Sequence, residues 1–160
     1  ARGFYDEGRY KEAINALEKT LARELPKSEA WALMARCLAN QGRLEEAREW
    51  CEKALVRNNL DSALHYLMAV IVQEQGKLEE SARALSRALY IDCDFVMAHF
   101  NLAGLSLRLG RRKESSRHFE RAMSLLASRR DDETLPESEG ITVGRVKAIM
   151  QSMMGEDRQG

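Results

Sequence analysis

His65 and His99 stand 34 residues apart in a chain of 160. Paired imidazoles at such a spacing suggest a metal site or a proton relay, because histidine titrates near neutral pH and ligates metals through either ring nitrogen. No His-x-x-x-Glu, His-Glu-x-x-His or Cys-x-x-Cys spacing is present to complete a ligand set. Glu45 and Glu46, and again Glu79 and Glu80, are adjacent carboxylates, which do acid–base chemistry only inside a pocket. Each pair follows a glycine closely and opens a helix, where the positive end of the helix dipole favours it. Cys37, Cys51 and Cys93 are odd in number and widely separated, so a reducing, cytoplasmic setting is expected rather than a disulfide framework. The glycines are too far apart, and follow helical patterns, so no phosphate-binding loop forms. These residues are expected to hold no enzyme active site and to need no cofactor or metal.

The period of 34 positions everything else. Gly8, Gly42, Gly76 and Gly110 share it, and Ala13, Ala47, Ser81 and Ser115 follow them at +5. Thr20, Ala54, Ala88 and Ala122 follow at +12, and Ala35, Ala69 and Ala103 precede the last three glycines by seven. Four series in one register, at a period of 34, resemble the tetratricopeptide repeat, a pair of antiparallel helices that stacks into a solenoid. With each glycine as repeat position 15, positions 8 and 20 must be small, because the two helices cross there. Positions 4, 7 and 11 are larger: Trp31, Met34 and Leu38, then His65, Met68 and Val72, then His99, Leu102 and Ser106. Position 24 holds Leu17, Cys51, Leu85 and Phe119. The two histidines therefore fall on a packing position, which favours a structural role. The i, i+3, i+4, i+7 spacing gives each helix one buried stripe.

The expected architecture is all-α, a right-handed solenoid of one partial and three full hairpins over residues 1–128. Helices are expected at 1–7, 10–24, 29–41, 45–58, 62–75, 79–91, 96–109 and 113–127, with Leu25 and Pro26 closing the first repeat. A charged loop at 129–140 leads to a C-terminal helix at 141–155, capped by Thr142 and ended by Gly155, and a tail at 156–160. That helix either covers the open core edge of the last repeat, packs elsewhere or contacts another domain, or lies in the groove. Ala1 falls at repeat position 8, in mid-helix, so the chain reads as a piece of a longer protein. Composition agrees: two prolines, 44% apolar and 31% charged residues describe a helical domain without internal linkers. Formal net charge is zero, which argues against bulk attraction to nucleic acid or anionic membrane. No apolar run approaches the roughly 18 residues of a membrane span, and no signal peptide is expected.

Function then rests on surfaces. First helices of stacked repeats line a concave groove, and the candidate peptide-binding residues are Arg36, Asn40, Tyr66, Gln73, Phe100, Asn101 and Arg108. Tyr66 and Phe100 would serve as apolar anchors, Arg36 and Arg108 as partners for acidic residues, and Asn40, Gln73 and Asn101 as contacts for peptide backbone. The Lys and Asn pattern by which some relatives hold a chaperone's C-terminal carboxylate is absent. From Arg108 to Arg130 eight cations face only Glu114 and Glu120. This is either a solvated face or a dock for an acidic partner; nucleic acid is disfavoured because no aromatics interleave.

A narrower resemblance covers residues 88–150. Tyr90, Ile91, Asp92, Cys93, Asp94, Phe95, Val96, Met97, Ala98, His99 and Phe100, with Arg117, His118 and Phe119, resemble the repeat region C-terminal to bacterial chemotaxis-type protein-glutamate methyltransferases. So does the tail Leu135, Pro136, Glu137, Ser138, Glu139, Gly140, Ile141, Thr142, Val143, Gly144 and Arg145. The resemblance implies a docking or regulatory region for an enzyme that uses S-adenosylmethionine to esterify glutamates on chemoreceptors; its catalytic machinery lies outside these residues. The alternative is a scaffold in a secretion, pilus or division assembly with no attached enzyme.

Overall fold

A computed structural model describes residues 1–22 and 28–157. Nine helices form among them: α1 (Arg2–Asp6), α2 (Tyr10–Leu21), α3 (Ser28–Asn40), α4 (Leu44–Arg57), α5 (Ser62–Glu74), α6 (Leu78–Ile91), α7 (Val96–Arg108), α8 (Arg112–Leu126) and α9 (Val143–Asp157). The expected last residues of the second helix, with Leu25 and Pro26, lie outside the described residues. Within the rest, helix starts and stops fall within two residues of expectation as far as α8.

The glycine turns explain the hairpins. Gly42 takes φ +74, a left-handed conformation open to glycine without steric cost. Its N–H donates to the Ala39 carbonyl at 2.9 Å, and the Arg43 N–H reaches back to Leu38 at 2.9 Å. These two bonds satisfy carbonyls that a helix end leaves open. The same pair recurs at Gly8, Gly76 and Gly110, with φ between 73 and 77.

The chain divides into two units, Ala1–Ala84 and Leu85–Gly160. In the first, α3 packs on α4 and α4 on α5. The small residues sit where the helices cross: Ala35, Ala47, Ala69 and Ser81 are all buried. Ser81 Oγ donates to the Ala69 carbonyl at 2.9 Å, a reach from helix to helix that a bulkier residue at either position would prevent. Cys51 is buried against α5, its thiol directed at the Leu64 carbonyl. Burial pushes the Cys51 thiol up to about 12 and that of Cys37 up to about 11, so neither is a reactive thiolate.

In the second unit α7 packs on α8 and α8 on α9. Residues 129–140 form an ordered loop. Leu135 and Ser138 are buried, and the Ser138 hydroxyl lies 2.6 Å from the Leu135 carbonyl and 3.1 Å from that of Ile141. Thr134 and Thr142 form an isolated antiparallel bridge. Val143 N–H donates to Glu133 at 2.8 Å and Gly144 N–H to Asp131 at 3.0 Å. Thr142 Oγ1 accepts from the Arg145 N–H, the capping role its position suggested. Gly155 does not end α9. It keeps a negative φ, and the helix runs through it to Asp157, since an interior glycine costs a helix only about 1 kcal/mol. Val143, Val146 and Met150 are fully buried.

Candidate functional site

In the first unit, Arg36 and Asn40 lie on α3, and Tyr66 and Gln73 on α5, the helix beside it. Asn40 is exposed, while Arg36 and Gln73 are half-buried. Asn40 Nδ2 donates to the hydroxyl of Tyr5 on α1 at 3.4 Å. Tyr5 occupies repeat position 12, a groove position that sequence reasoning passed over because its repeat is incomplete.

Tyr66 departs from expectation. It is 6% exposed and does not present its ring as an anchor. The reason is the helix that carries it. On α5, Leu64, Tyr66, Leu67, Met68, Ala69, Ile71 and Val72 are all buried, and a helix apolar on every side is covered on every side. The single buried stripe expected for each helix fails for α5, and for α7 as well, where Val96, Met97, Ala98 and His99 are buried in succession.

In the second unit, Phe100 and Asn101 on α7 are half-buried, and Arg108 in its last turn is exposed. Gly104 lies on the same stripe as Asn101 and Arg108, three and seven residues along. A Cβ at Gly104 would stand 3.7 Å from Met153 Cε, so α9 lays a flexible apolar side chain over this face of α7.

The two histidines at repeat position 4 do the same job. His65 Nε2 lies 2.9 Å from the Asn59 carbonyl, and His99 Nε2 lies 2.9 Å from that of Cys93. Each imidazole ties down the loop entering its own repeat, six residues upstream. His99 then makes a second contact, Nδ1 to Nδ1 with His118 of α8 at 2.9 Å. The carbonyl requires the proton of His99 on Nε2, so His99 Nδ1 accepts and His118 Nδ1–H donates. Burial lowers the pKa of both rings; Arg121 lowers His99 further, and the adjacent His99 lowers His118. His118 was visible in the sequence, at position 23 of its repeat, but nothing in the repeat pattern marks that position as polar. Among the described residues, no group of three or more His, Cys, Asp or Glu is placed to hold a metal ion. No described helix is long and apolar enough to cross a membrane.

Residues 4–71 match the tetratricopeptide repeat family, and the glycine-turned hairpins carry the same period through α8. The fold is that of a tetratricopeptide repeat protein. No curated protein matches the chain in sequence. Among solved structures, the tetratricopeptide hairpins resemble MamA from Desulfovibrio magneticus RS-1 (residues 41 to the end), with a TM-score of 0.73 and 21% identity over 79% of this chain and 71% of that one. They resemble the type III secretion translocator chaperone SycD of Yersinia enterocolitica, with a TM-score of 0.68 and 17% identity over 81% and 88% of the two chains. YrrB, described as a tetratricopeptide protein with an unusual peptide-binding site, gives a TM-score of 0.69 and 16% identity over 79% and 65%.

Proposed function

We propose that this chain is a protein-interaction module that binds a peptide segment of its partner along the first helices of its repeats. The observation that carries the reading is a polar, accessible edge on those helices within each unit by itself: Arg36, Asn40 and Gln73 on α3 and α5 in the first, Asn101 and Arg108 on α7 in the second. The apolar anchor in the second unit is Phe100, with Met153 beside Gly104; in the first unit Tyr66 is buried and serves as none. SycD and YrrB, whose descriptions name a chaperone and a peptide-binding site, support the class of activity.

At the finer level the module belongs to a chemotaxis receptor methyltransferase, acts in the cytoplasm, and docks that enzyme on a chemoreceptor or another signalling protein. The tail Leu135–Arg145 supports this, because the resemblance extends well beyond what the repeat requires. Reading the gene upstream of Ala1 tests the assignment. A methyltransferase domain there is expected; its absence leaves the scaffold reading, an adaptor without an enzyme. Binding itself is tested by calorimetry with a receptor cytoplasmic fragment. Phe100→Ala with Arg108→Glu should weaken binding by at least about 2 kcal/mol, the size of a hot-spot effect, and unchanged affinity would exclude the α7 face.

A further inference from the structure

Arg112, Lys113, Ser116 and Arg117 occupy one side of α8, at i, i+1, i+4 and i+5, and line a shallow, open depression. Lys113 and Arg117 are exposed, and neither meets a carboxylate among the described residues. Several cations at or on the other second helices are neutralised, whereas Arg83 and Arg87 on α6, like Lys113 and Arg117, meet no carboxylate among the described residues. Arg9 pairs with Glu12 and Glu7, Arg43 with Glu46 at 2.6 Å, and Arg48 with both Glu52 and Glu80. Further along α8 itself, Arg121 is held by Asp94 at 2.6 Å. The chain as a whole is neutral, with 25 cationic and 25 anionic residues. What sets Lys113 and Arg117 apart from Arg83 and Arg87 is the depression they line with Arg112 and Ser116, and Arg108 stands exposed at the end of the preceding helix.

We infer that this face of α8 is a second docking surface, and that its occupant is an acidic, extended segment of a partner protein. The fit is geometric as well as electrostatic. Lys113 and Arg117 are about one helical turn apart, roughly 6 Å. Alternate residues of an extended chain are spaced about 7 Å, so an acidic-x-acidic sequence places one carboxylate on each cation. The Arg117 guanidinium takes its carboxylate through two parallel bonds, and the Ser116 hydroxyl between them is placed to bond the peptide backbone. An open depression suits a chain laid across it better than an enclosed small molecule. Nucleic acid is disfavoured, because no aromatic side chain lines the face for base stacking. This surface lies on a second helix of its hairpin, apart from the first-helix face above, so either can fail without the other.

The test uses the full chain and a fluorescein-labelled peptide of alternating Glu and Ala, followed by anisotropy at low and high salt. Binding is expected at low salt and weakened at high salt, as exposed charges are screened beyond about 3 Å at 1 M. Lys113→Glu with Arg117→Glu should lower affinity about tenfold or more. Arg83→Glu with Arg87→Glu, exposed residues of α6, makes the same change in net charge and should leave affinity unchanged, as should Phe100→Ala. All four substituted cations are exposed, so the melting temperature reports whether each variant remains folded. Equal loss in the α6 control would reduce the effect to bulk charge, and loss in Phe100→Ala would move the peptide to the α7 face. Absence of binding at low salt, or tighter binding of a single-stranded oligonucleotide displaced by the same reversal, would overturn the proposal.

Discussion

His99 and His118 face each other Nδ1 to Nδ1 at 2.9 Å across the α7–α8 hairpin, an arrangement that holds one proton between the rings and has no place for a second. Both pKa values lie below the ordinary histidine value, chiefly through burial. The folded state thus prefers the neutral rings, and the unfolded chain takes up protons first. The pair's contribution to stability is fully present above the unfolded value of about 6.5 and is lost as pH falls through and below it. Melting temperatures should decline from neutral pH toward pH 5.5 or so. The decline should be shallower in His118→Phe; an unchanged slope would show that the pair is not coupled to folding.

Ala69 is 1% exposed where α5 crosses the next helix. Ala69→Leu should overpack the crossing and cost roughly 1–3 kcal/mol, measured by denaturant titration. A variant as stable as the parent would contradict the repeat register.

The serines at position 20 should behave differently from one another. Ser81→Ala removes the bond to the Ala69 carbonyl and should cost about 1 kcal/mol. Ser115 is buried with its hydroxyl unpaired among the described residues, so Ser115→Ala should be neutral or stabilising by a few tenths of a kcal/mol, to order of magnitude. Parallel melts of the two variants make the comparison.

Two glycines within helices should also part company. A Cβ at Gly144 would come within 3.0 Å of Asp131 Cβ and 3.2 Å of its carbonyl oxygen, so Gly144→Ala should destabilise by about 1–3 kcal/mol. Gly104 has ordinary contact distance to spare, at 3.7 Å from Met153, and Gly104→Ala should stabilise α7 by about 0.5–1 kcal/mol. Chemical denaturation checks both signs.

The hairpins were legible because one local rule repeats: glycine at the turn, small residues at the crossing, and large ones around it. Those constraints are short in sequence and survive any tertiary context. Tyr66 was misread because a groove position does not reveal how much of its helix neighbouring helices cover. Tyr66→Ala should therefore cost about 3–5 kcal/mol of stability, as for other large buried aromatics, and Phe100 is the cleaner probe of binding. Residues 129–140 read as a mere charged loop because their order depends on Ser138 reaching two carbonyls and on Asp131 meeting the first turn of α9. Composition encodes neither contact. Thr142 was found because capping, like the glycine turn, is a local signal.

The bonds that shape the hairpins join residues three and five apart at the glycine turns, six at the histidine ties and twelve at the Ser81 crossing. All of them close inside one period of 34 residues. A recombination event that copies or drops one whole period would leave each of these donors with its own acceptor, whereas one that copies twenty residues would strand them. The gene is thus free to change its copy number of repeats in unit steps. The segment from Leu135 to Arg145, tied back to Asp131, Glu133 and Thr134 and outside the pattern of 34, is where such copying would have to stop.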